Sequence, residues 1–231
     1  MVKSSFSRPT EIDQVFDGLE EMWGNESAPP NLTHDEPLDG LVLTLLSQNT
    51  NDRNRDRAFD ALKSRFPGWE AAAGALSEDI AECIRPAGLA KTKSERMLRI
   101  LDTIRKDFGV YSLKELNLWE STKVKEYLAS LPGIGAKTIA CVMLFDLGKP
   151  AFPVDTHIAR FCRRMEWVSE KTAPEEIQIL LEEWVPPERF YGGHINIIEH
   201  GRGICGARKP ACGKCLIARL CPYSGKSGVL A

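Results

Sequence analysis

Three groups of residues in this 231-residue sequence have the types and spacing to do chemistry. The first is Leu131-Pro132-Gly133-Ile134-Gly135-Ala136-Lys137-Thr138. Val124, Tyr127 and Leu128 lie at helical spacing before it, and a second helix is expected after Gly135. Glycines two apart allow a tight turn and let backbone N–H groups approach a phosphate at a helix N-terminus. That pattern describes a helix–hairpin–helix, which grips a DNA strand without reading bases. An ordinary helix–helix turn also contains glycine and is the plainer alternative. Lys137 falls in the first turn of the second helix, where the positive end of the helix dipole favours a free amine, a nucleophile, over an ammonium.

The second group is Phe152-Pro153-Val154-Asp155-Thr156-His157. Asp155 is expected to N-cap a helix carrying Ile158, Phe161 and Cys162, a position that keeps a carboxylate ionised and pointed. The third is the run Cys205-x6-Cys212-x2-Cys215-x5-Cys221, four of the seven cysteines. Cys83, Cys141 and Cys162 are scattered through apolar helical patterns and are expected to be buried thiols. The N-terminal stretch MVKSSFSRPTEIDQ has no apolar signal region, so a reducing, cytoplasmic setting is expected and disulfides are not.

Helices must position these residues. Ile12, Val15, Phe16, Leu19 and Met22 share one helical face, with Thr10 as expected N-cap and Gly24 as stop. Leu38, Leu41, Val42, Leu45 and Leu46 repeat the pattern, as do Phe59, Leu62 and Phe66 before Pro67-Gly68. Met97, Leu98, Leu101, Ile104 and Phe108 follow, ending at Gly109. Thr172-Ala173-Pro174-Glu175 reads as a capping box opening a helix with Ile177, Leu180, Leu181 and Trp184. Sustained period-two alternation is absent, and no long repeat is found. The expectation is an all-α protein of about ten helices.

Composition agrees. Hydrophobic residues at 43% and charged residues at 27% are ordinary globular values and exclude wholesale disorder. The longest apolar run, Ile139 to Phe145, is seven residues, far short of the ~18–20 that a membrane span needs. The net charge of −2 hides a lopsided distribution. Residues 1–40 carry two basic groups (Lys3, Arg8) against nine acidic ones, whereas residues 200–231 carry six basic groups, Lys226 the last, and no acidic one. A polyanion can use such a tail, although a charge run is also an ordinary solvated face.

Taken together and in order, LPGIGAKT, VDTHIARFCRR and C-x6-C-x2-C-x5-C resemble the endonuclease III family of helix–hairpin–helix DNA glycosylases, over roughly residues 35 to 222. The resemblance implies two helical domains. A six-helix domain at 35–149 would carry the hairpin and Lys137; an N-terminal helix within 1–34 would pack with 150–231 as a cluster domain carrying Asp155. The active site would lie in the cleft between them. It implies a [4Fe–4S] cluster on Cys205, Cys212, Cys215 and Cys221, in keeping with thiolates as the usual cluster ligands. Zinc is the alternative, set back by a lone C-x2-C between longer gaps.

By the same resemblance Lys137 matches the lysine that attacks C1′ of the damaged nucleotide, and Asp155 the carboxylate that assists it. Leu89 matches a wedge that enters the vacated stack, and Gln48 or Asn49 the residue that fills it; a core leucine and a helix C-cap are the plainer readings. Arg208 and Lys209 match a loop on DNA phosphates, or are simply solvated. Ungapped, Asn49 rather than Gln48 falls at the filler, and Ala90-Lys91 replaces larger aromatic and amide side chains. The string LSQNT is closer to sister branches acting on alkylated or mismatched bases. The function implied is a bifunctional glycosylase and abasic-site lyase of base excision repair acting on oxidised pyrimidines. A monofunctional glycosylase and a non-catalytic cluster-containing DNA-binding protein are the alternatives. The implied partner is double-stranded DNA with a damaged base or abasic site, bound by a cytoplasmic, nucleoid-associated monomer that uses no membrane.

Overall fold

A computed structural model describes residues 6–24 and 32–226; Lys3 and the side chain of Lys226 lie outside the described residues. Among the described residues the regular elements are helices, with no strand. They form two compact units, one from residues within 1–30 and 150–231, the other from 31–149. In chain order the first unit contributes α1 (Ile12–Trp23). The second contributes α2 (Pro37–Ser47), α3 (Asp52–Arg65), α4 (Trp69–Ala73), α5 (Ser77–Cys83), α6 (Ala90–Phe108), α7 (Ser121–Ser130) and α8 (Ala136–Cys141). The first unit resumes with α9 (Thr156–Arg164), α10 (Pro174–Trp184), α11 (Phe190–Gly203) and α12 (Pro222–Lys226). Ten of the described α-helices run six residues or more; α4 and α12, at five, are too short to show a period in the sequence.

In the first unit, the apolar stripe of α1 (Ile12, Val15, Phe16, Leu19) is buried and α1 packs on α11. Phe152 is fully buried, edge-on to Phe16 and Phe190 with ring centroids 6.4 and 5.5 Å away. The acidic outer face of α1 is held by charge: Arg189 donates to Glu20 at 2.9 Å and to Asp17 at 2.8 Å. Gly24 ends α1 as expected. Its start differs, because Glu11 occupies the cap position and the Thr10 hydroxyl is spent on the Glu11 carboxylate. The expected capping box at Thr172 is also absent. Pro174 takes the first helical position of α10, which makes Ala173 the N-cap and leaves Thr172 one residue too early. The Thr172 hydroxyl pairs with Ser169 at 2.9 Å instead.

The second unit begins before residue 35. Thr33 N–H donates to the Phe145 carbonyl (2.9 Å) and His34 Nδ1 lies 2.7 Å from Asp146 Oδ1, so 32–34 belong here and not with the N-terminal helix. Glu36 caps α2: its Oε1 accepts from Leu38 N–H and Leu113 N–H, and its Oε2 from the Ser112 hydroxyl. The apolar run 139–145 is core. It ends α8 and passes into one π-helical turn, Val142–Asp146, packed on α2. Among the described residues no helix is long and apolar enough to cross a membrane. Cys141 and Cys162 are buried, and burial pushes the Cys162 thiol up to about 12. Cys83, expected to be buried, is only half so: it stands at the last turn of α5, and Ile80 and Ile84 take the inward positions.

The contact of α1 with α11 leaves room for no side chain at residue 193, where an added Cβ would overlap the Phe16 ring. Gly193→Ala should therefore destabilise the protein by about 1–3 kcal/mol in urea unfolding, the usual cost of overpacking. Phe16→Leu in the same chain should recover part of that loss, and no recovery would place the strain elsewhere.

Candidate functional site

The hairpin is anchored by Leu131 and Ile134, both buried, and closed by the Ile134 N–H to Leu131 carbonyl bond of 3.3 Å. Gly133 and Gly135 are exposed between helices α7 and α8 but do different work. Gly133 has φ +73°, and an added Cβ would overlap the Arg96 side chain lying against it. Gly135, at φ −99°, has open space around it and is the N-cap of α8. A glycine cap has no side chain, so the first-turn amides of α8 remain available to an anion. Lys137 is the second residue of α8, exposed, and no hydrogen-bond or ion-pair partner reaches its amine among the described residues.

Gln48, Asn49 and Leu89 belong to the same unit. Gln48 is the C-cap of α2, and its Oε1 accepts from Arg96 at 3.1 Å, so Arg96 touches both the hairpin and this loop. Asn49 is exposed at φ 56°. Leu89 is no core leucine: it is 60% exposed, at φ 49°, and is the residue from which α6 starts. Beneath both loops lies a lysine that the sequence reading did not single out. Lys93 is 2% exposed and donates to the carbonyls of Leu46, Gln48 and Ala87 at 2.8, 2.7 and 2.9 Å. The available signal was its spacing, since Lys93, Met97, Ile100 and Ile104 fall on one buried helical face.

In the other unit Asp155 caps α9 as expected. Its Oδ1 accepts from His157 N–H at 2.8 Å and Ile158 N–H at 2.9 Å; Oδ2 takes no hydrogen bond from the described residues. At the far end of α9, Arg164 donates to the carbonyls of Cys205, Gly206 and Ala207, and to Cys205 Sγ at 3.0 Å. Those bonds fix the start of the loop on which Arg208 and Lys209 stand exposed.

Cys205, Cys212, Cys215 and Cys221 all line one cavity, closed in by Phe161, Met165 and Ile217. Among the described residues no three possible ligands gather tightly enough to hold a single metal ion. Four thiols around one cavity are a donor set of the kind that holds an iron–sulfur cluster, and zinc uses the same donors. Burial first, and the other cysteines after it, push the Cys215 thiol up to about 11 and raise that of Cys221. A cation at the centre reverses that balance and stabilises thiolates.

A family model described as HhH-GPD superfamily base excision DNA repair protein matches residues 42–187. An endonuclease III of Thermotoga maritima is 30% identical over 200 residues, covering 87% of this chain and 89% of its own. A protein of Arabidopsis thaliana named as a candidate DNA glycosylase is 36% identical over 176 residues, which cover 76% of this chain and 60% of that longer protein. Among solved structures, a trapped endonuclease III–DNA covalent intermediate shares the fold at TM-score 0.79 and 24% identity, over 94% of this chain and 97% of that one.

The two hairpin glycines should respond differently to substitution. Gly133→Ala forces a side chain into the left-handed region, at about 1–2 kcal/mol, and displaces Arg96 as well. Gly135→Ala loses only a glycine cap, which costs less than about 1 kcal/mol. Thermal unfolding of the free protein should rank Gly133→Ala clearly below Gly135→Ala; equal melting temperatures would contradict this geometry.

Proposed function

The chain belongs to the HhH-GPD superfamily of base excision DNA repair proteins, and on that premise we propose that it is a DNA N-glycosylase with abasic-site lyase activity. The observation that carries the reading is the exposed, unpartnered amine of Lys137 in the first turn of a helix opened by a glycine hairpin. A helix start of that kind takes a DNA phosphate, and phosphate contact sets the register of an attacking group without reading sequence.

The chemistry then runs through named atoms. Lys137 Nζ attacks C1′ of the damaged nucleotide, and the C1′–N bond breaks with its electron pair leaving on the base. Opening of the sugar gives a Schiff base between Nζ and C1′. The iminium acidifies the C2′ proton; loss of that proton breaks the C3′–O bond and cuts the strand. Positive charge develops on the sugar, and the Asp155 carboxylate is the group assigned to stabilise it, held in direction by its two backbone N–H bonds. Extruding a base leaves a gap in the stack, which Leu89 and Gln48 or Asn49 are suited to enter. The preferred lesion in this proposal is an oxidised pyrimidine in double-stranded DNA.

Cys205, Cys212, Cys215 and Cys221 are the residues that would hold a [4Fe–4S] cluster. When bound, such a cluster supplies one-electron redox chemistry and ties its loop together. The purified protein should be yellow-brown with about four irons per chain, the four-cysteine cluster stoichiometry. Cys212→Ser should lose the iron and Cys83→Ser should keep it; stoichiometric zinc without visible absorption in anaerobically prepared protein would reject the cluster.

Borohydride reduces the iminium and freezes protein to DNA, so wild-type protein should trap covalently on a duplex containing an abasic site. Lys137→Gln should abolish trapping while retaining binding, because the hairpin backbone is unchanged. Asp155→Asn keeps a competent cap but should slow base release by roughly 10²-fold, the scale of losing a key electrostatic group. A Lys137→Gln variant trapping at the wild-type rate would move the nucleophile elsewhere. Release of alkylated or mismatched bases without any trapping would favour a monofunctional glycosylase.

A further inference from the structure

Lys93 carries a buried charge for which the proposed reaction has no use. An ammonium has three donors and no acceptor, and all three find carbonyl oxygens, on Leu46, Gln48 and Ala87. No carboxylate pairs with it among the described residues. Burial first, and Arg96 after it, lower the Lys93 pKa, the direction expected for a cation taken out of water. An apolar side chain would pack on that face of α6 at no such cost, so the cation is retained for what it holds in place.

It holds two loops at once. The carbonyls of Leu46 and Gln48 belong to the C-terminal end of α2, whose last turn has no partners within its own helix. The Ala87 carbonyl ends the turn that leads through Gly88 to Leu89. The backbone N–H of Lys93 also donates to the Leu89 carbonyl at 2.9 Å. Each loop then turns outward through a non-glycine residue in the left-handed region, Asn49 at φ 56° and Leu89 at φ 49°. Such conformations persist only where surrounding bonds over-determine them. Here the bonds on both sides lead to one nitrogen.

We propose that Lys93 is a positioning residue that sets the separation and direction of the 48–49 loop and Leu89, the two projections that enter the base stack. The proposal rests on the glycosylase reading above and extends it to the step of opening the duplex. Lys93 touches no substrate atom in this assignment. Its effect is therefore confined to substrates whose stack must be opened, which separates it from a merely structural role.

The test compares borohydride trapping on one abasic oligonucleotide, single-stranded and in duplex. Lys93→Met keeps the side-chain length and removes the donors. It should slow duplex trapping by at least about 10-fold, since displacing a positioning group by an ångström costs up to 10²-fold. Single-strand trapping should stay within about twofold, as no stack is opened there. In a Leu89→Ala background the same change should cost clearly less on duplex than it does alone, the remainder acting through the 48–49 loop, because coupled residues are not additive. Lys93→Arg is the second variant should the first fail to fold. It keeps the charge, but a planar fork cannot meet three converging carbonyls, and the same duplex-selective loss is expected. Equal losses on both substrates, full additivity with Leu89→Ala, or Lys93→Arg at the wild-type duplex rate would each overturn the proposal. Wild-type protein that traps on neither substrate overturns instead the lyase part of the reading beneath it, and does so before any variant is made.

Discussion

A helix ends in backbone groups that its own hydrogen bonds cannot satisfy, and in this chain the residues of interest stand at helix ends. What each end is given determines what it can do. The start of α2 is closed by the Glu36 carboxylate, which also binds Ser112 and Leu113 and so ties two distant stretches of one unit together. The end of α2 is closed by the Lys93 ammonium reaching across from α6. The start of α8, by contrast, has a glycine cap with nothing to offer. Closed ends build the scaffold, and this open one leaves amides and a lysine facing outward.

The same constraint organises the other unit around α9. Its first residues are capped by Asp155 and its last, Arg164, satisfies the carbonyls of Cys205, Gly206 and Ala207. Nine residues of helix rise only ~13 Å. One short rigid rod therefore fixes both the direction of a carboxylate and the start of the cysteine loop. The cavity lined by the four cysteines lies at the Arg164 end of that rod, beside Phe161 and Met165. A group bound there would brace the loop bearing Arg208 and Lys209 through the same backbone that Arg164 holds.

Much of this was legible in the sequence. Helical period, stop glycines at 24 and 109, the Asp155 cap and the hairpin are local features, and local features are written in neighbouring residues. The misses share a cause. Thr10 and Thr172 looked like caps because spacing alone was read, yet Glu11 and Pro174 next to them changed which residue the helix begins on. Cys83 looked buried because it sits in an apolar pattern, but at a helix end the pattern no longer dictates which way a side chain faces. Lys93 is hidden in the sequence for the opposite reason. A lysine is ordinarily a surface residue, and two of its three acceptors lie 45 and 47 residues away at Gln48 and Leu46, beyond any local window.

That long-range tie also bears on how Leu89, the proposed wedge, is held in place. Ala90 and Lys91 follow Leu89 directly and line an open groove against α5, with Ser77, Glu78, Ala81 and Arg85. Were Leu89 placed by packing of its neighbours, small and charged residues at 90 and 91 would let it wander. Its position depends instead on the Lys93 N–H below it and on the Ala87 carbonyl held by the same residue. Positions 90 and 91 are therefore released from the task of positioning, and their side chains are free to shape the groove. Placement of Leu89 is in this way carried by backbone bonds of a single helical turn, and the side chains at 90 and 91 can change without disturbing it.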